Sequence, residues 1–432
     1  MQTQQLPPDE EHPTAAEGGR PAGTGSLDRS LERSWAALAD VGRDPTTGGY
    51  RRFAWTPADA EMRDWFAEQA ARRGMSCERD RNGNQWAWWG APAPGAVVTG
   101  SHLDSVPDGG AYDGPLGVVS GFLAVDELRA RGVTPERPIA VVDFSDEEGA
   151  RFGVACTGSR LLTGALDPDR ARGLRDRDGV TLAEAMRRAG ADPTAMGQDE
   201  EALARIGTYV ELHVEQGRSL VHHDQPVGVA TAIWPHGRWH CRFDGEANHA
   251  GTTRLVDRRD PMLPFASTVL AARALAHQAG GVATFGRVQV SPNGTNAIPS
   301  TVEAWLDSRA PDDATVARLV AEITATAERA AAFSGTTVQV SQESYTPVVG
   351  FDERLRDRIG TLLGGIPALP TGAGHDAGVL SARVPTAMLF VRNPTGVSHS
   401  PAEHAPADDC ATGVRALATV LEDLVTGDLA CR

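Results

Sequence analysis

The chain has 432 residues, too many for one ordinary hydrophobic core, so two domains are expected. Its composition is 41% hydrophobic, enough to fill both, and its formal net charge of -16, with no dense basic cluster, argues against nucleic acid as the main partner. Five scattered cysteines without paired metal-type spacing point away from a disulfide framework and towards a reducing cytoplasm. No apolar run reaches the roughly 18 residues that a membrane span needs, and the polar N-terminus lacks a signal-peptide core.

Residues 1–26, rich in Pro, Gly, Gln and Glu, read as a disordered tail. Order is expected from Leu27. Leu31, Trp35 and Leu38 recur at helical spacing, and a second helix is expected over Ala58–Arg73. DRNGNQWAWWG, Asp80–Gly90, reads as a hairpin whose tryptophans pack or line a pocket. The apolar run Ala96–Val98 leads into GSHLDSVPDGGAYDGPLGVVSG, a glycine-rich loop that gives way to an apolar helix from Leu116. Pro138–Phe144 has the continuous apolar character of a strand buried on both faces, and strand, helix, strand in this order suggests a parallel crossover. Arg170–Ala189 reads as one helix and Tyr209–His213 as a further strand.

Near Pro226 the pattern changes. Strands are expected at Val227–Ile233, Trp239–Phe243, Val282–Val290 and Ser300–Asp307, with helices at Asp260–Ala279 and Asp313–Ser334. That is an α+β unit of roughly a hundred residues. Around Tyr345–Phe351 the chain returns to the first unit, with a helix at Leu355–Leu363, a strand at Pro385–Phe390 and a closing helix at Ala407–Leu424. The expected fold is α/β: a catalytic domain with a mostly parallel sheet flanked by helices (27–226 and 344–432), interrupted by a smaller α+β domain (227–343).

The chemistry lies in the loops at the strand ends. His102 and Asp113 come from the first loop, Glu147 and Glu148 come directly after Val141–Phe144, His213 ends its strand, and His399 comes after Thr386–Val391. Parallel strands would deliver all of them to one crevice. An Asp-Gly pair alone explains only a turn, and one acidic run explains only a helix N-terminus. Neither explains the recurrence of such loops along one chain. Three imidazoles, one carboxylate able to bridge and one further carboxylate can hold two divalent ions about 3.5 Å apart. Zinc or manganese suits this mixed nitrogen and oxygen set, and several other metals are accepted by it. With Glu148 on a metal, Glu147 is left free to take a proton from water and hand it to a leaving nitrogen.

The segments GSHLDSVPDGGAYDGPLG, DEEGARFG, ELHVEQG, NHAGTT, NAIPS and SHSPAE, in this order between about Trp35 and Asp423, resemble the hydantoinase/carbamoylase family of dinuclear metallo-amidohydrolases. That family is of the allantoate amidohydrolase and N-carbamoyl-L-amino-acid hydrolase type, related to metal-dependent exopeptidases of the carboxypeptidase kind. The resemblance implies two divalent ions per subunit (Zn2+ or Mn2+, with Co2+ or Ni2+ as further options) on His102, Asp113, Glu148, His213 and His399. It implies Glu147 as base and Asp104 as the carboxylate that orients His102 through its other ring nitrogen. His249 of the small domain would stabilise the oxyanion. Gln216, Asn296 and Arg309 would hold the carboxylate of a small-molecule substrate, since a guanidinium fork fits a carboxylate. The loop Gly372–Gly378, containing His375 and Asp376, is read as substrate-side, with Gly378 contacting substrate. It further implies a homodimer through the small domain, which closes over the site, and no membrane or nucleic-acid partner.

Two departures bear on the substrate. Ile233-Trp234-Pro235-His236-Gly237-Arg238 stands where the family has small residues, and Arg254 replaces an apolar residue after NHAGTT. Trp234 and His236 would narrow the pocket, and Arg254 beside Arg309 would greet a second carboxylate. The reaction expected is therefore hydrolysis of a linear carbon–nitrogen bond in allantoate or an N-carbamoyl-L-amino acid. The alternatives are hydrolysis of N-formyl or N-formimino acidic amino acids, a dipeptidase or aminoacylase on the same site, and a binding protein without catalysis.

Overall fold

Runs such as AVVTGSH and IAVVDF have no polar face to turn to water, so they belong inside a sheet covered on both sides. The computed structural model, which describes residues 24–427, places them there. In chain order the strands are β1 (Ser76–Arg79), β2 (Gln85–Trp89), β3 (Ala96–His102), β4 (Ile139–Phe144), β5 (Ile206–Val214), β6 (Val227–Ile233), β7 (His236–Asp244) and β8 (Asn248–His249). Then come β9 (Val282–Ser291), β10 (Ala297–Ile298), β11 (Thr301–Arg309), β12 (Thr337–Thr346), β13 (Val349–Gly350), β14 (Ala368–Thr371) and β15 (Thr386–Val391).

The large sheet runs β1-β2-β4-β3-β5-β15-β6-β13, with β14 beside β6. Its centre, β4-β3-β5-β15, is parallel, and antiparallel strands finish both edges. Side chains alternate between two cores. Val97, Val141 and Val210 meet the helices Pro115–Ala130 and Ala407–Thr426 on one face. Val98, Val142, Tyr209 and Met388 meet Leu162, Leu203 and Leu380 from short helices on the other. Gly100 has φ +144°, and a Cβ there would run into the Val142 backbone of β4, so glycine alone lets the two strands lie side by side. The second sheet, β12-β7-β11-β9, is wholly antiparallel and is backed by the helices Met262–Ala279 and Asp313–Phe333.

Five expectations change. The first helix spans Thr24–Leu38, so residues 24–26 of the expected tail are helical, while residues 1–23 lie outside the described residues. Arg170–Ala189 is two helices, Pro168–Gly173 and Leu182–Arg188. The Asp176 carboxylate accepts from the amides of Asp178 and Val180 and folds a turn between them. Val227–Ile233 belongs to the large sheet, antiparallel to β15, so the small unit starts at β7. It closes with β12, a strand that runs past residue 343 to Thr346. The hairpin expected within Asp80–Gly90 forms, but its first strand lies before that segment, at Ser76–Arg79, with Asp80 holding the loop, and Trp86 and Trp88 stack inside the core.

Candidate metal centre and active site

The C-terminal ends of β3, β4, β5 and β15 converge on one cleft, and each brings ligand-type side chains. β3 ends in His102 and β5 contains His213 near its end; they are 1% and 0% exposed. His213 presents Nδ1 to the Val214 carbonyl at 2.9 Å. His102 presents Nδ1 to the Asp104 carbonyl at 3.1 Å and to its carboxylate at 3.4 Å. These oxygens only accept, so both Nδ1 atoms carry hydrogen and both Nε2 lone pairs point the other way. There they find Asp113 Oδ1, at 3.3 Å from His213 and 3.7 Å from His102, and neither Nε2 has a hydrogen-bond partner. Gly114 makes room for this contact, since a Cβ there would strike the His102 ring.

The other oxygen of Asp113 faces a second set. Oδ2 lies 3.4 Å from His399 Nε2, which is 3.7 Å from Glu148 Oε2. Two such triads, His102–Asp113–His213 and Asp113–Glu148–His399, each have their ligand atoms within 4.8 Å of one another. Ligands bound at ~2.1 Å to one tetrahedral ion sit about 3.4 Å apart, so these spacings suit a cation between the atoms. A buried polar atom left without a partner costs roughly 1–3 kcal/mol, and two neighbouring orphaned imidazole nitrogens double the reason for an ion. The donors present therefore fit a pair of divalent ions with Asp113 between them.

The electrostatics agree. Burial pushes the Glu148 carboxyl up to about 8, with the Asp113 charge adding to the rise. Glu147 is raised well above the carboxylate range, first by burial, with Asp376 and Glu148 adding to it against the pull of His102. Burial opposes a charge on His102, but Glu147, Asp104 and Asp113 outweigh it and raise that imidazole well above its usual range. Such a crowd of carboxylates needs positive charge among them, which protons or metal ions supply.

Glu147 itself lies 3.6 Å from His102 Nε2 and takes a hydrogen bond from the Cys156 thiol at 3.3 Å. Asp104 does more than orient His102: its two oxygens accept from the backbone amides of Glu147 and Glu148, both at 3.1 Å, and fix the loop after β4. Asp146, Cys156 and His399 all have positive φ without being glycine, so backbone strain gathers around the cleft.

Of the expected substrate residues, Gln216, Arg309 and Gly378 line the cleft, a cavity of about 350 Å³ between the two sheets. Gln216 Nε2 donates to Asp113 Oδ2 at 2.9 Å, so it supports the shared carboxylate. Arg309 pairs with Asp307 and also donates to the Gly372 carbonyl. His236 and Arg238 line the cleft as well, whereas Trp234 is not among the lining residues. His375 is buried against His213, with ring centroids 4.5 Å apart. His249 lies on β8, and Asn296 immediately precedes the strand paired with it, β10; both are exposed and outside the cleft lining. Arg254 is not brought to the site at all. It lies on a short turn, its side chain 77% exposed and bound to Asp257 at 2.7 Å, because the nearest carboxylate is three residues away. That corrects its expected place beside Arg309.

Sequence reasoning passed over Glu403. Its Oε1 accepts from the amides of Tyr112 and Asp113, both at 2.9 Å, and pins the loop that carries the shared ligand. An acid four residues beyond His399, inside SHSPAE, was the available signal.

With this geometry in hand, residues 98–423 match the peptidase family M20/M25/M40. The N-carbamoyl-L-amino acid amidohydrolase of Geobacillus stearothermophilus is 37% identical over 417 residues, 92% of this chain and 99% of that protein. The allantoate amidohydrolase of Escherichia coli K12 is 31% identical over 408 residues, 92% of this chain and 98% of its own. Among solved structures, a hydantoinase/carbamoylase family amidase from Burkholderia multivorans superposes with a TM-score of 0.85 at 31% identity, covering 93% of this chain and 98% of that one.

Proposed function

The chain belongs to the peptidase family M20/M25/M40, on its hydantoinase/carbamoylase side, and from that premise we propose that it hydrolyses the ureido carbon–nitrogen bond of an N-carbamoyl-L-amino acid or of allantoate. The observation that carries this reading is the shared carboxylate of Asp113, one oxygen facing His102 and His213 and the other facing His399, with the Glu147 carboxylate beside them. His102, His213, Asp113, Glu148 and His399 would hold two divalent ions, zinc or manganese by the donor set. When bound, such ions polarise a carbonyl and make water acidic near neutral pH. Glu147 takes the proton of the attacking water and passes it to the departing nitrogen; its place 3.6 Å from His102 Nε2 puts it beside the metal ligands for both halves of that task. Asp104 holds His102 and the amides of Glu147 and Glu148 in register. Gln216 and Arg309 hold the substrate carboxylate at the cleft wall.

His249 and Asn296 act on the substrate once the small unit is brought over a cleft, and the molecule works as a homodimer. Leu255, Val256, Leu263 and Leu270 are exposed on that unit, and β9 leaves one sheet edge free, a combination that a second copy would cover. Sedimentation at twice the 45.6 kDa chain mass is expected, and a monomer at micromolar concentration would remove this part. Among the described residues no helix is long and apolar enough to cross a membrane. Cys77, Cys156, Cys241 and Cys410 are free thiols, which suits a reducing cytoplasm.

The test is release of free amino acid and ammonia from N-carbamoyl-L-amino acids and of ammonia from allantoate. Turnover should vanish after chelation and return with Mn2+ or Zn2+. Peptide hydrolysis well above ureido hydrolysis, or full activity in stripped protein, would end the reading.

A further inference from the structure

Three arginines line the cleft, and they are not equivalent. Arg309 has the Asp307 carboxylate at 2.9 Å, and Arg238 approaches the same carboxylate at 3.8 Å from an exposed position. Arg160 has no ion pair, and its side chain makes no hydrogen bond among the described residues. Its Nε is a buried atom without a partner. The residue sits in the short helix Thr157–Thr163, one turn beyond Cys156, whose thiol touches Glu147. The carboxylates of the cleft lining, Asp113, Glu147 and Glu148, all belong to the metal and proton machinery. The buried Nε has no partner in the chain, so the guanidinium is free to take one from outside it. Val106, Ala155, Ile233, Val349 and Val379 add apolar wall that accommodates methylene groups, beside polar residues such as Thr346 and His375.

We propose that Arg160 is the anchor for a second anionic group, so that the preferred substrates are N-carbamoyl derivatives of acidic amino acids, with the α-carboxylate at Arg309 and the side-chain carboxylate at Arg160. This rests on the ureido-hydrolase reading above and names the substrate class within it. A guanidinium grips a carboxylate through two parallel hydrogen bonds, which an amide of equal size cannot reproduce with charge. Arg254, the cation that the sequence offered for a second carboxylate, is paired with Asp257, whereas Arg160 on the other unit is unpaired among the described residues.

The experiment uses the metal-loaded enzyme and compares kcat/KM for N-carbamoyl-L-aspartate and N-carbamoyl-L-glutamate with their neutral isosteres, the asparagine and glutamine derivatives. N-carbamoyl-L-alanine, N-carbamoyl-L-lysine and allantoate complete the panel. One acid should exceed its amide by at least ~10-fold, the worth of one charged hydrogen bond. Arg160→Met should lower that acid-to-amide ratio by on the order of 10-fold, towards one, with Arg160→Lys between the two. Arg160→Glu should turn the preference towards the lysine derivative, which a purely structural role would not do. Equal rates on acid and amide in the unmodified enzyme, a ratio unmoved in folded variants, or allantoate as the best substrate would each overturn the inference. Because the first comparison needs no variant, poor folding of a mutant does not rescue it. Hydrolysis of ureido monocarboxylates without an acidic preference sinks this inference alone. No hydrolysis of any ureido compound sinks the underlying reading with it.

Discussion

The two units of this molecule hold their functional side chains in opposite ways. In the large sheet, His102, Asp104, Asp113, Glu147 and His213 are all less than one-tenth exposed and are fixed by backbone amides and carbonyls. In the small unit, His249, Asn296 and Arg254 stand in solvent, held only by local turns. Parallel strands packed between helices leave their ends little freedom, so a centre built there is already assembled. A two-stranded pair at the rim of a small antiparallel sheet cannot preorganise anything alone. Its residues become functional only when another surface meets them, which is why the small unit also carries the exposed apolar patch.

The sharpest way to break that contrast is to strike the buried side. Glu147→Gln keeps the shape and the Cys156 contact but removes the group that moves the proton. A fall in kcat of about 10²–10⁴-fold is expected, with metal content intact and KM little changed. A variant that retains most of its kcat would show that the proton travels elsewhere.

A smaller effect tests whether the buried centre is held from behind. Burial, aided by the nearby Asp113 charge, raises the Glu403 carboxyl to about 7. A folded pKa above the unfolded one means folding favours the protonated form. Its contribution is fully present below about pH 4.5 and is lost as pH rises through 7. Glu403→Gln keeps an acceptor for the Tyr112 and Asp113 amides without the charge. The metal-free variant should therefore gain on the order of 1–3 kcal/mol over wild type at pH 8 and much less at pH 5. Melting curves with the same offset at both pH values would contradict this. Glu403→Ala, which frees both amides, should weaken metal binding by roughly 10–100-fold, read by titration with Mn2+.

The same contrast explains what was legible in the sequence. His102, Asp113, Glu147, His213 and His399 could be found because each comes after a short apolar run, and a buried parallel strand has few other readings. Long amphipathic helices such as Asp313–Phe333 were equally plain. Partnership between distant segments was hidden. Nothing in VGVATAI says which of two sheets it joins, and only its pairing with Thr386–Val391 decides. Glu403 acts through backbone amides 290 and 291 residues away in the chain, so its place inside SHSPAE marks it as near His399 but does not say what it holds. Arg160 carried no signal in the sequence; what sets it apart is that its side chain has no ion pair among the described residues. Arg254 failed for the converse reason: its partner Asp257 was three residues away in plain view, and local pairing won over the longer reach to a substrate.

That outcome leaves the smallest effect as the cleanest discriminator between the two units. Arg254 is bound to Asp257 through two hydrogen bonds at the surface, and exposed pairs of this kind are worth little. Arg254→Ala should leave kcat/KM for acidic and neutral ureido substrates within about 2-fold of wild type, in keeping with the usual cost of surface substitutions. The Arg160 variants, on the buried wall, should change the same ratio by an order of magnitude or more. If Arg254→Ala instead cut the acidic preference, the small unit would have to present this turn to a cleft in the working assembly. The second anionic anchor would then lie on the exposed side of the molecule, and selectivity would depend on how the two units meet.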